Sequence, residues 1–391
     1  MNLNLLLLTL CQGLFLTNNV TFMAINGLVG LSLAPSPWMA TLPITGYVAG
    51  GALCASLVAR HQRAWGRWRA FQAGTLVAIL SSALCAYAAS THQFWLLVAA
   101  TVLAGYYNAN AGLYRFAATE LAAPRYKERA ISWVLAGGII GAVAGPNLAS
   151  ATRDALPVAF AGAYAALVAV ALLALAVLSF IRFPPLPLPS AARPGRPLRE
   201  IARQPVFIVA VLGCALGYGV MNLLMAATPI AMSQCAHPFK STVLVLEWHV
   251  LGMFVPSFFT GHLIRRFGSL RIMSLGVLLN LLCIGVALSG LELENFLFAL
   301  FALGVGWNFL YTGGTTLLTG TYRPEEKNKV QGAMDFCVFS TLALTSFASG
   351  ALVTTQGWNW LNLGSLLPLA LIAIALAWWA ADRCRSLPTL A

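Results

Sequence analysis

Apolar runs of about 20 residues follow one another through the 391-residue chain, separated by short polar breaks. A helix of about 20 residues crosses a ~30 Å hydrocarbon core. Lipid offers no water to unpaired backbone groups, so runs of this length must be helices rather than strands. Composition excludes a soluble alternative: 9% of the residues are charged, against roughly a quarter in soluble domains. The sequence therefore predicts an all-α membrane protein with twelve transmembrane helices. They fall at residues 3–31, 37–59, 70–90, 94–114, 130–151, 157–181, 204–232, 241–264, 271–290, 294–318, 330–354 and 358–381. The opening Met-Asn-Leu-Asn-Leu lacks the basic stretch of a cleaved signal peptide, so the first run is expected to stay as a span.

The net charge of +12 would suit a nucleic-acid partner, but its placement does not. With both termini in the cytoplasm, 21 of the 23 Lys and Arg residues fall on cytoplasmic segments; Arg153 and Lys240 are the exceptions. That is the positive-inside pattern, and it sets the expected orientation, with both termini in the cytoplasm. No nucleic-acid partner is expected. The eight cysteines are scattered without metal-ligand or redox spacing, and the five histidines are dispersed. Neither a metal site, a cofactor nor an enzyme activity is expected.

Residues 182–203 interrupt the apolar pattern with six prolines and five arginines. They read as a cytoplasmic, semi-rigid linker between an N-terminal bundle, 1–181, and a C-terminal bundle, 204–391. The two bundles echo each other at a nearly constant offset. Tyr107-Asn108 matches Trp307-Asn308, Pro124 matches Pro324, and Lys127 matches Lys327. Gly13-x₄-Asn18 is echoed by Gly217-x₄-Asn222. Two pseudo-symmetric six-helix bundles follow, an arrangement used by transporters.

On this pattern the sequence resembles the major facilitator superfamily over essentially its whole length. Ala59-x₃-Arg63-x₂-Gly66-Arg67 is similar to that family's loop between spans 2 and 3, with Arg63 where an aspartate is usual. Arg265 stands in the same place in a second copy, Gly261-x₃-Arg265-x₂-Gly268. Ser132-x₈-Gly141-x₃-Gly145-Pro146 approximates the family's antiporter motif. Gly137, Gly141 and Gly145 also form a flat stripe suited to close packing of another helix. "GLYRFAATE" (112–120), "PSFFTGHLIRRFG" (256–268), "GVGWNF" (304–309) and "RPEEKNKVQG" (323–332) look like a bacterial riboflavin-transporter subgroup. The resemblance implies the major facilitator fold and a central cavity lined by spans 1, 4, 7 and 10.

Those four spans carry the polar side chains. The candidate solute-binding set is Asn18, Asn19, Tyr107, Asn108, Tyr218, Asn222, Trp307, Asn308 and Tyr311. The aromatic rings offer flat faces and the amides offer donors and acceptors to a heterocycle edge. No fixed charge lies near the middle of these spans, which points to a neutral or weakly acidic organic solute. Within span 8, Glu247 and His249 are intramembrane ionisable groups and so candidates for proton coupling. They stand about 200° apart on a helix. His249 lies on the side of Gly252, Met253, Pro256 and Thr260, expected to face the bundle interior; Glu247 lies on a bulky side expected to face lipid or tight packing. His249 is therefore the preferred proton carrier. Asp335 is expected to pair with Arg63 or another loop arginine in gating, with Arg265 as the repeat counterpart. The function expected is secondary active transport of a small organic solute, riboflavin or a similar planar heterocycle, with protons as coupling ion and a monomer as the working unit. An efflux antiporter and a non-transporting sensor of the same fold are the alternatives.

Overall fold

In a computed structural model, residues 2–123, 126–184 and 195–386 are described. Sixteen helices follow in order, and no strand occurs among the described residues. Before the linker come α1 (Leu3–Leu33), α2 (Leu42–Ser90), α3 (Phe94–Ala111), α4 (Tyr114–Leu121), α5 (Lys127–Ala136), α6 (Gly138–Ala151) and α7 (Ala161–Ser179). After it come α8 (Leu198–Ala202), α9 (Pro205–Gln234), α10 (Phe239–Phe254), α11 (Ser257–Phe267), α12 (Ser269–Ser289), α13 (Leu293–Thr319), α14 (Lys327–Thr355), α15 (Gly357–Gly364) and α16 (Leu366–Ser386).

Among the described residues, nine helical stretches are long and apolar enough to cross a membrane, and ten if the bent pair α10–α11 counts as one span. One of the nine, Pro37–Ser90, is 54 residues long. It is two passes, because Gly66 leaves the helical region at φ 78° and ψ 168°. The register against α3 shows the reversal. Gly46 meets Thr101, and Gly51 meets Asn108, so the first arm runs parallel to α3. Gly74 meets Asn110, while Cys85 shares a core with Leu97, so the second arm runs antiparallel. Glycine suits Gly66 because a positive φ costs it little. The pass expected at 94–114 is built from α3 and α4, that at 130–151 from α5 and α6, and that at 358–381 from α15 and α16.

The glycine stripe packs as the spacing implies, and its partner is α1. A Cβ on Gly141 would lie 2.6 Å from the Leu16 carbonyl carbon, and one on Gly145 would lie 2.9 Å from Val20 Cβ. Thr21 Oγ1 donates to the Gly145 carbonyl at 2.9 Å, the carbonyl side of the Gly145–Pro146 bond.

The N-terminus, the Gly66 turn, the linker and the Gly268 turn share one end of the molecule, the linker face. Asn2 Nδ2 donates to the Leu121 carbonyl there at 2.7 Å, and Asn4 reaches Arg182. The linker is not irregular throughout. Its described end forms α8, and Arg196 docks on Glu326, which is fully buried. Arg196 Nε and Nη2 donate to the two carboxylate oxygens at 2.9 and 2.8 Å, and the Arg196 and Arg323 backbone N–H groups donate at 2.8 and 2.9 Å. Lys329 Nζ donates to the Arg196 carbonyl. These donors hold the Glu326 carboxyl down at about 2. Pro124, Arg125 and Arg193, counted in the sequence patterns, lie outside the described residues.

Helices α1–α7 and α8–α16 meet along a seam that closes toward the opposite, far face. Gly27 of α1 sits against Ala226 and Ile230 of α9. Thr41 Oγ1 donates to the Ser346 carbonyl at 2.6 Å and accepts from Gly350 N at 3.0 Å, tying the start of α2 to α14. Trp38 packs edge-on to Phe347 at 5.9 Å.

Candidate solute site along the seam

Tyr218 of α9 and Trp307 and Tyr311 of α13 form one aromatic cluster. Trp307 and Tyr311 are one helical turn apart, so their rings lie over each other, stacked at 5.3 Å and 11°. Tyr218 meets Trp307 edge-on at 5.1 Å and Tyr311 at 5.5 Å. Phe254, at the end of α10, approaches Trp307 at 6.4 Å. Trp307 is buried, and its Nε1–H has no hydrogen-bond acceptor. A buried indole donor normally finds a partner, so an unpartnered one marks a place where an acceptor belongs.

The amides divide into two kinds. Asn222 Nδ2 donates to the Leu342 carbonyl, Thr345 Oγ1 and Ser346 Oγ at 3.2, 3.0 and 2.8 Å, joining α9 to α14. Asn308 Nδ2 donates to the Met253 carbonyl at 2.8 Å and Ser257 Oγ at 2.7 Å, and its oxygen accepts from Thr260 at 2.7 Å. It holds the 42° bend between α10 and α11. Both amides are committed to neighbouring helices. Asn18 is buried with Nδ2 unpartnered, and Asn19 Nδ2 donates to the Tyr47 hydroxyl at 3.1 Å. Tyr107 is buried edge-on against Phe15 at 5.5 Å, and half-buried Asn108 lies under Gly51. Asn18 and Asn19 keep more of their amide chemistry uncommitted than Asn222 and Asn308 do.

Glu247 is half-buried on the outer side of α10 and meets a partner there: its Oε2 accepts from Asn147 Nδ2 of α6 at 3.3 Å, an exposed contact across the seam. His249 is fully buried inside its own helix set. Its Nδ1 stands 2.6 Å from the Leu300 carbonyl of α13. A carbonyl only accepts, so Nδ1 carries the proton and Nε2 is a buried acceptor without a partner. Sequence spacing fixed the angle between the two residues but not which neighbour each would meet.

Of the gating candidates, Arg63 and Arg265 are exposed at the linker face, and Asp335 is half-buried without an ion pair among the described residues. Arg115 of α4 lies within electrostatic range of Asp335, Tyr218 and Tyr311. Its Nε is buried without a partner. The site is therefore not free of fixed charge. Arg115 was counted among the topological arginines, although it lies seven residues beyond Asn108, the spacing that returns to one helix face. No group of three His, Cys, Asp or Glu side chains converges among the described residues.

The chain's likeness to known proteins covers nearly its whole length. The model of the Major Facilitator Superfamily matches residues 5–247 and 235–388. The riboflavin transporter RfnT of Brucella anthropi is 40% identical over 362 residues, 92% of this chain and 91% of that one. The uncharacterized MFS-type transporter YddS of Bacillus subtilis is 27% identical over 372 residues, 90% of this chain and 85% of that one. Among solved structures, the nucleoside transporter NupG superposes with a TM-score of 0.76 at 12% identity, covering 96% of this chain and 99% of that one. The human organic anion transporter MFSD10 gives 0.66 at 15%, covering 96% and 99%. With the fold, both stretches of the family match and a relative at this identity in agreement, the chain belongs to the major facilitator superfamily and is a membrane transporter.

Proposed function

We propose that this transporter moves riboflavin, or a planar heterocycle of the same kind, across the bacterial cytoplasmic membrane by alternating access. The observation that carries the reading is the Trp307–Tyr311 stack with its unanswered indole N–H. A flat ring can lie on these aromatic faces while a ring carbonyl or nitrogen accepts from Nε1. Arg115 adds donors for an acceptor-rich edge, and Asn18, Asn19, Tyr107 and Asn108 supply amide and phenol contacts from the N-terminal bundle. The name of the Brucella anthropi relative points to the same solute class.

The two bundles, 1–181 and 204–391, act as the moving bodies, with the basic linker face in the cytoplasm. The far face is then periplasmic, and the closed seam there corresponds to a carrier open toward the cytoplasm. Arg115, Arg63, Arg265 and Asp335 serve the cytoplasmic gate. Coupling to protons runs through Glu247, the carboxylate on the seam, and His249 holds α10 to α13. The monomer is the working unit.

The efflux reading rests on the span resembling an antiporter motif, whose Gly141 and Gly145 also serve to pack α6 on α1. Purified protein in proteoliposomes should accumulate labelled riboflavin, more so with the external medium acidic. Binding without accumulation would mark a sensor, and expulsion from inside-out vesicles an exporter. Expression should also let a riboflavin auxotroph grow at low external riboflavin.

A further inference from the structure

Two basic residues break the positive-inside pattern, and one of them, Arg153, stands at the far mouth of the seam. Its guanidinium lies 5.3 Å from the ring centre of Phe160, on its own side of the seam. It lies 5.8 Å from the ring centre of Phe239, which opens α10 on the other side. The two rings meet edge-on at 5.0 Å. The loop between Arg153 and Phe160 is closed on itself, because Phe160 N donates to the Arg153 carbonyl at 2.7 Å. Phe160 adopts φ +65°, a left-handed conformation unusual for an aromatic residue. Residues held this way gather at clamps and switches. Asp154 offers little competition for the guanidinium, at 3.7 Å and largely exposed. Arg153 Nε is buried and has no acceptor. Beside the cluster opens a cavity of about 400 Å³ that also takes in Ser32, Ser233, His237 and Thr242. That size falls in the range of small-molecule sites, ~300–1,000 Å³.

We propose that Arg153, Phe160 and Phe239 form the gate on the far face, and that a planar, acceptor-rich solute opens it by taking the guanidinium's place on the two rings. The guanidinium bridges the two bundles through a cation–π contact on each side, so separating the bundles breaks at least one of them. An arriving flat solute offers the rings an equivalent face and offers Arg153 Nε the acceptor it lacks. Hydroxyls of Ser32, Ser233 and Thr242 line the cavity in which that solute would rest. The identity of the solute and the outward aspect of this face rest on the function proposed above; the gate itself does not depend on the solute.

The test uses a cysteine-free carrier with Ala226→Cys. Ala226 is buried on the seam against Gly27, about one helical turn from Pro229, which lines the cavity beside the gate. Labelling by an impermeant thiol reagent in intact cells reads opening of the far side. Arg153→Ala should raise the labelling rate roughly 2- to 5-fold, the scale of a surface cation–π contact. Phe239→Leu keeps apolar bulk without a ring face and should do the same. Arg153→Lys, which keeps a charge over the rings, should lie between. Unchanged labelling in Arg153→Ala and Phe239→Leu, in protein inserted at normal levels, overturns the gate. Labelling raised only by Phe239→Ala overturns the cation–π account in favour of simple packing. Riboflavin should speed labelling of the intact gate and add nothing in Arg153→Ala. A carrier that takes up riboflavin while its labelling ignores it overturns the displacement step. A carrier that takes up no riboflavin defeats the solute reading, while the variants still decide the gate.

Discussion

Asn147 Nδ2 donates to Glu247 Oε2 at 3.3 Å, joining α6 to α10 across the seam between α1–α7 and α8–α16. His249, two residues along the same helix, stays within one bundle on the Leu300 carbonyl. In the alternating access proposed above the seam would open and close, so Glu247 would change surroundings in each cycle and His249 would not. A coupling group needs such a change, because its proton affinity follows its environment. Glu247→Gln is expected to keep riboflavin counterflow while losing accumulation driven by a pH gradient. His249→Gln, which can still donate to Leu300, should accumulate near normally. His249→Ala should instead lower stability by roughly 1–3 kcal/mol, the cost of a lost buried partner. Vesicle uptake with and without the gradient decides; the opposite pattern returns the coupling role to the histidine.

The contact between α6 and α1 leaves no room for side chains at the glycine stripe. A methyl at Gly141 would press on the Leu16 backbone, which cannot swing aside as a side-chain tip does. Gly141→Ala is expected to cost about 1–3 kcal/mol, as overpacking does. Gly332→Ala, where nothing lies within 4 Å of the added carbon, should be close to neutral. Thermal unfolding in detergent separates the two. Equal melting temperatures would mean that α1 yields to the methyl.

The Arg196–Glu326 pair anchors the linker to α14 and makes a pH prediction of definite sign. The carboxyl titrates near 2 in the folded protein, below the ~4.3 of an unperturbed glutamate. Its contribution to stability is therefore complete above about 4.3 and is lost as pH falls toward 2. Between pH 5 and 8 the anchor should not change. Glu326→Gln removes the charge at every pH and should make trypsin cut at Arg199 and Arg203, the cleavable arginines beside the anchor, several-fold faster at pH 7.5. Unchanged cleavage would show that α8 holds the linker without the ion pair.

What the sequence could reveal depended on how local the physics was. The passes were legible because each apolar run needs only the lipid to explain it. The α1–α6 contact was legible as a spacing, since glycines four apart face one way whatever their partner. The setting of Glu247 was not, because the helical period gives angles between residues and not the direction of a neighbour. In α10 both faces are largely apolar, so nothing in the run distinguished lipid from the opposing bundle. Arg115 was hidden by a rule that worked elsewhere: a basic residue at a span's end satisfies the charge pattern whether or not it also faces the aromatic cluster. Arg196 and Glu326 lie 130 residues apart, and composition read the arginine as one of several in a linker. Tyr218, Trp307 and Tyr311 were legible as aromatics of spans 7 and 10, but their mutual packing was not.

The aromatic cluster yields a prediction that separates binding from scaffolding. Trp307 presents a ring face with Tyr311 and an N–H that no protein group accepts. Asn308, the next residue, spends its amide on Met253, Ser257 and Thr260. Trp307→Ala should weaken riboflavin binding by at least about fivefold, since it removes an aromatic pair, ~0.5–1.5 kcal/mol beyond its buried area, together with a neutral hydrogen bond of ~0.5–1.5 kcal/mol. Trp307→Phe keeps the stack and removes the donor, so its loss should be roughly 3- to 10-fold, one neutral hydrogen bond. Asn308→Ala should act on the other side of the ledger. It strips partners from the bend between α10 and α11, so the melting temperature should fall while protein that remains folded binds riboflavin nearly as before. Quenching of riboflavin fluorescence on binding measures the affinities, and a melting curve of each variant measures the rest. Normal affinity in both Trp307 variants would move the solute away from α13, and a large affinity loss in a thermally normal Asn308→Ala would bring that amide into the site.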